Sequence, residues 1–357
     1  MERRNFMGRL AAGTAAVGTG SIVAPNILTG SQKKTYRWRL VMVIPKTLPI
    51  WGTGVQAFAQ KVKKITDGRL KIKVYGAGEL VPALGTFDAV KSGQVQMASS
   101  AAYYWIGKIP EAAFFTSVPF GMNANGMRAW LYQGGQELWD ELYRPHGLFS
   151  LPGGNTGMQM GGWFNKEIQS LKDFKGLKMR IPGLGGKVVA KAGGKPILVP
   201  GGEIYTNLTT GVLDATEWIG PYHDYVMGFY KAAKFYYYPG WHEPGPTLEL
   251  MMNAKAFAGL PQEFQQVVRS CAAELDRDMY SEWLGKDGEY FKKIQALKEV
   301  KILAFPPDVL EKFKQYAEEA KQAAATSPIG RKIYDSFLSF KKIFDEHQRV
   351  TERAYHS

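Results

Sequence analysis

The sequence predicts an α/β fold with two lobes, a ligand cleft between them and an extra long C-terminal helix. Three observations predict it. Strand-like and helix-like stretches alternate as β-α-β-α-β between Arg37 and Ala98. The same rhythm returns after residue 155. A last amphipathic stretch, 327–353, follows what already reads as a complete domain.

Each element has its own pattern. Arg37–Ile44 alternates and then runs apolar, which reads as a strand. Trp51–Thr66 places Val55, Phe58, Ala59, Val62 and Ile65 at three-to-four spacing, the period of an amphipathic helix, and Asp67-Gly68 closes it. Leu70–Tyr75 is a second strand, Val81–Ser92 a short helix and Val95–Ala98 a third strand. Beyond residue 155, Gly157–Trp163 and Leu177–Ile181 read as strands, Gly185–Ala192 as a helix, Pro196–Val199 as a strand and Gly202–Thr210 as a helix. Parallel strands joined by helices imply helices on the sheet faces. Pro261–Leu284 reads as a long helix with proline in its first turn, followed by Glu289–Lys298, a strand at Val300–Ala304 and a helix at Pro307–Ala325. In the terminal helix, Ile329, Ile333, Phe337, Phe340 and Phe344 form a wide apolar face. By pattern alone it packs on its own lobe or on a second subunit.

The 357 residues carry 45 Lys+Arg against 32 Asp+Glu, a net charge of +13, and one cysteine, Cys271. A single cysteine excludes an intramolecular disulfide and Cys-rich zinc or iron–sulfur sites. Residues 1–30 open with Glu2-Arg3-Arg4 and continue into a small-residue apolar run with one further charge, Arg9. That is the form of a twin-arginine export signal, so the expected compartment is the periplasm. Its glycine-rich core is too weakly apolar for a membrane anchor. The segment holds a net +2, leaving about +11 elsewhere. Those cations are spread along helices and are not grouped with stacking aromatics, so no nucleic-acid partner is expected.

No G-x-S-x-G, H-E-x-x-H or phosphate-binding loop is present. Gly183-x-Gly185-Gly186 follows a strand and opens a helix but lacks the full dinucleotide spacing. His242 beside Glu243 and His223 beside Asp224 lack the helical spacing of metal ligands and read as structural. The informative region is the second lobe. There Lys178 and Arg180 share a strand face, Gln159 stands alone in an apolar run, and Glu217 lies between Ala215 and Trp218. Arginine is the side chain best suited to a buried carboxylate, because its fork makes two parallel hydrogen bonds. Glu217, Glu243 and the Gln159 carbonyl are hard oxygen donors of the kind a cation prefers, but the two carboxylates taken alone read more readily as surface groups. Tyr103, Tyr104 and Trp105 follow the third strand and either cap the cleft or pack beside it.

Two blocks carry a family resemblance. Asp173-Phe174-Lys175-Gly176-Leu177-Lys178-Met179-Arg180 is followed by Glu203, Tyr205, Leu208, Gly211, Asp214 and Glu217 at fixed spacing. This order resembles the extracytoplasmic solute-binding proteins of TRAP transporters, the DctP type, from about Tyr36 to Ala325. The resemblance implies a two-lobe periplasmic binding-protein fold, TRAP membrane subunits as partners and no enzymatic activity. It implies that Arg180 binds the substrate carboxylate. Many members have Asn after the last Glu of the second block, whereas this chain has Trp218. Glu217-Trp218 with Gln159 and Glu243 is similar to the branch that binds 2-oxo acids or lactate together with a metal ion. That branch implies Gln159, Arg180, Tyr103 and Trp218 as substrate contacts, and Gln159, Glu217, Trp218 and Glu243 as ligands of Na or Ca. It also implies a homodimer that exchanges the C-terminal helix.

The expected plan is an export signal at 1–30, a first lobe at 31–155 to which 241–325 partly returns, and a second lobe at 156–240. A dimerisation helix at 327–357 completes it. Hinges are expected near Gly153–Thr156 and Tyr236–Trp241. A twin-arginine-exported enzyme and a ligand-sensing partner of a signalling receptor are the rival readings.

Overall fold

The computed structural model describes residues 34–356, and the expected export signal lies outside them. The first sheet comprises β1 (Tyr36–Met42), β2 (Leu70–Tyr75), β3 (Met97–Ser100), β4 (Leu148–Asn155) and β10 (Thr247–Asn253) in the order β2-β1-β3-β10-β4. β1 runs parallel to β2 and β3, and β10 runs antiparallel to β3 and β4. The second sheet comprises β5 (Gly162–Phe164), β6 (Lys178–Arg180), β7 (Lys195–Ile197), β8 (Ala215–Thr216), β9 (Phe235–Tyr238) and β11 (Lys301–Ala304) in the order β11-β9-β5-β8-β6-β7. The architecture is the expected two-lobe α/β fold with a long terminal helix. The chain passes between sheets after β4 and after β9, and again through a long helix, Gln262–Gln295, before β11.

Each sheet is buried by helices whose apolar stripes face it. Val55, Phe58, Ala59 and Val62 are the buried positions of the helix Trp51–Ile65, as its period requires. In the second lobe Val188 and Val189 of the helix Gly183–Lys191 join Phe164, Phe174, Phe305 and Phe313 in one cluster.

Three expectations need correction. The strand predicted over 157–163 is reduced to Gly162–Phe164. Gly157 and Gly162 adopt positive φ, and the Gln159 amide donates to the Glu243 carbonyl instead of to a sheet neighbour. The two helices predicted over 261–298 are one helix of 34 residues. Gly285 and Gly288 weaken it by only about 1 kcal/mol each relative to alanine, too little to break a helix packed along its length. The terminal helix runs Pro328–Val350 and breaks at Thr351 before a last turn. Its Ile333 and Phe337 are fully buried, with Phe337 edge-on to Phe114 and Trp130 at 5.7 and 5.1 Å. Each such side chain contributes roughly 1.5–3 kcal/mol, so within one chain this contact anchors the helix on the first lobe.

Asp224 introduces a pH dependence into stability. It accepts from Tyr236 Oη at 2.8 Å and Trp163 Nε1 at 3.0 Å, and no described residue forms a salt bridge with it. Burial pushes its pKa up from 3.8 to about 7, against the pull of those donors. A raised carboxyl pKa means that the folded state holds the proton more tightly than the unfolded chain. Its contribution is therefore complete below 3.8 and is lost as pH rises through about 7. Urea midpoints across that range are expected to fall less steeply in Asp224→Asn than in the native chain. An identical slope in the two proteins would exclude Asp224 as the source.

Candidate ligand and cation site

The site lies where strand ends of the second sheet meet a turn from the first lobe. Arg180 is the last residue of β6, and in-register pairing puts it opposite Thr216 of β8, so Glu217 emerges beside it. The Glu217 amide donates to the Arg180 carbonyl at 3.2 Å, which locks the two backbones together. Gln159 follows the passage out of β4, and Glu243 follows the passage out of β9. These two passages touch. A Cβ at Gly240 would stand 2.0 Å from the Gln159 carbonyl oxygen, so only glycine permits the approach. From the first lobe, the turn Ala102–Trp105 after β3 brings in Tyr103 and Tyr104. Gly183, at positive φ, would place a Cβ 3.1 Å from Tyr103, so the lobes are in direct contact there.

All six sequence-predicted residues are buried, and the structure brings them together. Arg180 is 1% exposed and Glu217 0%, and Arg180 Nη1 pairs with Glu217 Oε1. Arg180 Nη2 donates to Tyr104 Oη at 3.3 Å, and its guanidinium lies 5.2 Å from the Trp218 ring. Burial pulls the Arg180 pKa down, but Glu217 and the two tyrosines outweigh it and hold the group above its usual value. Gln159 Nε2 donates to Glu243 Oε2 at 2.7 Å and to Thr156 Oγ1 at 3.3 Å. Tyr103 of the opposite lobe lies beside Glu243 and favours its charged form. Its pKa is raised well above 4.5, first by burial and then by the neighbouring Glu217 charge.

Two residues enter from outside the predicted set. His242, read from sequence as structural, places Nε2 3.3 Å from Glu217 Oε2. Glu217, His242 and Glu243 offer ligand atoms within 4.8 Å of one another. The only sequence signal for His242 was its place next to Glu243. Glu249 of β10 lies behind the site and is fully buried, accepting from Ser100 Oγ at 2.7 Å, Trp105 Nε1 at 2.7 Å, Ser150 Oγ at 3.0 Å and Tyr143 Oη at 3.1 Å. It thereby anchors the turn that presents Tyr103 and Tyr104. Nothing in its local sequence marks it.

The donor set suits a hard cation. Two carboxylates and an amide carbonyl are the oxygen ligands that calcium and sodium prefer. Gln159 Oε1 is buried without a hydrogen-bond partner, as is His242 Nδ1. A buried carbonyl left unpaired is expensive, and a cation would satisfy it. Trp218 could contribute only its main-chain carbonyl, since an indole N–H donates and offers no lone pair.

A buried arginine and a cluster of oxygen donors, closed between two lobes, define a solute receptor. Residues 41–327 match the family described as bacterial extracellular solute-binding protein, family 7 (DctP), and the chain belongs to that family. It is the family that the two motif blocks resembled. The chain is 40% identical, over 99% of its length and 98% of the relative's, to the monocarboxylate 2-oxoacid-binding periplasmic protein of Nostoc sp.. Among solved structures, a TRAP periplasmic solute-binding protein from Colwellia psychrerythraea with bound calcium and pyruvate is 43% identical. It superposes with a TM-score of 0.87 over 90% of this chain and 99% of that one. One from Pseudoalteromonas atlantica with bound sodium and pyruvate is also 43% identical, with a TM-score of 0.87 over 90% of this chain and 98% of that one.

Proposed function

We propose that this chain is a periplasmic receptor for a small 2-oxo or 2-hydroxy monocarboxylate, of the pyruvate and lactate class. It would hold the acid through Arg180 and a bridging calcium or sodium ion and deliver it to the membrane subunits of a TRAP transporter. The observation that carries this reading is the unpaired Gln159 carbonyl beside Glu217 and Glu243, with Arg180 in the same buried cluster. The ligands named for the Nostoc, Colwellia and Pseudoalteromonas proteins support the same class.

The residues have separate tasks. Arg180 binds the substrate carboxylate, with Glu217 and Tyr104 fixing its orientation. Gln159, Glu217, Glu243 and the Trp218 carbonyl hold the cation, which supplies positive charge to the substrate oxygens. Tyr103 and the Trp218 ring exclude water over the acid. Charge balance favours the pairing of acid and cation. A third carboxylate, brought in beside Glu217 and an ionised Glu243, would leave the cluster with excess negative charge, a state that burial penalises heavily.

The receptor changes shape without making or breaking bonds. Lobe one, 31–155 with part of 241–325, would close on lobe two, 156–240, by bending near Gly153–Thr156 and Tyr236–Trp241. The paired arginines of residues 1–30 would direct export through the twin-arginine route. Residues 327–357 would form a homodimer by exchanging the terminal helix between two chains, each docking Ile333 and Phe337 into the partner's first lobe. The exposure of Ile343 (69%) and Val350 (76%) further along that helix favours a second chain over it.

A thermal-shift screen tests the ligand class. Pyruvate, lactate and larger 2-oxo acids, each with and without Na⁺ or Ca²⁺, are expected to raise the melting temperature of the mature chain, since a ligand of the native state stabilises by mass action. C4-dicarboxylates are expected to give no shift. A shift with dicarboxylates and none with 2-oxo acids would refute the assignment.

A further inference from the structure

Away from the cleft, the edge of the first sheet carries a groove of about 580 Å³ lined by Arg37, Arg39, Lys46, Lys63, Lys71 and Lys73. In register, Arg37 lies opposite Lys71 and Arg39 opposite Lys73, so like charges face each other across β1 and β2. Direct cross-strand pairs of this kind are destabilising. Of these six cations, Lys46 is ion-paired, with Glu79 at 2.8 Å. Among the described residues the other five have no carboxylate partner. Some exposed lysines elsewhere are paired, as in Lys286–Glu282 at 2.6 Å and Lys293–Glu289 at 2.7 Å.

Lysines on an outer strand commonly keep sheet edges from pairing with other chains. That accounts for Lys71 and Lys73 on β2, the outermost strand. It leaves unexplained the arginines on the inner neighbour β1 and the cations supplied by the flanking loop and helix. We propose that the groove docks an extended acidic segment of a partner protein. Side chains two residues apart on a strand lie about 6.6 Å apart on one face. Carboxylates at alternate positions of an extended segment would therefore meet the Arg37–Lys71 and Arg39–Lys73 pairs in turn. A concave groove suits one chain better than a flat lipid surface.

The groove ends on a loop that contacts the second lobe. Lys46 precedes Pro49, whose carbonyl accepts from His223 Nε2 at 2.8 Å. Pro45 on the same loop packs by Gly202. A segment docked beside Lys46 thus lies next to a loop that contacts the second lobe. The identification of the partner as a transporter subunit rests on the receptor reading above, whereas the charge complementarity does not.

The test uses the mature chain and a fluorescent peptide of alternating Glu and Thr, with a Glu-block peptide of the same composition, anionic phosphatidylglycerol vesicles and inorganic phosphate as comparators. The alternating peptide is expected to bind best. Its affinity is expected to drop about tenfold or more between about 0.05 and about 0.5 M salt. A similar drop is expected in the triple variant Arg39→Gln, Lys71→Gln, Lys73→Gln. Pyruvate binding is expected to be unchanged and the melting temperature not lowered in that variant, since it relieves like-charge pairs; this separates failure of this proposal from failure of the receptor reading. Equal peptide binding by native and triple-variant chains would overturn the proposal. So would a preference for vesicles, phosphate or the block peptide.

Discussion

Arg180→Ala is expected to lower affinity for pyruvate by at least about 100-fold, because a buried carboxylate that loses its charged partner is destabilised by about 3–5 kcal/mol. Arg180→Lys keeps the charge and loses the fork, and is expected to lose about tenfold or more, since the second parallel hydrogen bond is gone. The lysine variant controls for folding. Glu217 is 0% exposed, and the alanine variant strips it of its partner as well as removing the substrate contact. Calorimetric titration beside circular dichroism checks both. Native affinity in either folded variant would remove Arg180 from the site.

The second large effect concerns the cation. Metal-stripped protein in sodium-free buffer is expected to bind pyruvate at least about 100-fold more weakly, because both donor carboxylates and the acid are then left with Arg180 as their one compensating charge among the site residues. Returning calcium or sodium restores affinity. Glu243→Gln is expected to weaken cation binding about tenfold or more while leaving Arg180 and Glu217 paired, so pyruvate binding should need correspondingly higher calcium. Pyruvate affinity that is indifferent to chelation in the native chain would refute the bridging role of Gln159, Glu217 and Glu243.

These effects converge on residues far apart in the chain, which explains how much of the site could be read from sequence. The helix Trp51–Ile65 and the strand Leu70–Tyr75 were legible because each presents one apolar face at a single period. Arg180 and Glu217 were legible because they close two spaced motifs. Gln159 was assigned to a strand, and its real setting is a turn made by positive-φ glycines and by contact with Gly240, some 80 residues later in the chain. No local pattern encodes such an approach. β10 escaped notice because a strand buried on both faces reads as a plain apolar run, TLELMMN, with no alternation. Its Glu249 looks like an interruption until Ser100, Trp105, Tyr143 and Ser150 are seen around it. His242 was undervalued for the same reason, since its partner Glu217 lies 25 residues upstream on another strand end.

The charge of +13 follows the same division. Some exposed lysines belong to helix-surface ion pairs, such as Lys286–Glu282 and Lys293–Glu289. The groove on β1 and β2 becomes visible only when strand register brings residues 37 and 39 opposite 71 and 73.

A crystal structure of the mature chain with pyruvate and calcium tests the central claim most directly. The expected result is the pyruvate carboxylate on the Arg180 guanidinium, with a cation about 2.3–2.6 Å from oxygens of Glu217, Glu243, Gln159 and the ligand. Pyruvate bound away from Arg180, or bound in the cleft with no cation touching Glu217 and Glu243, would contradict it.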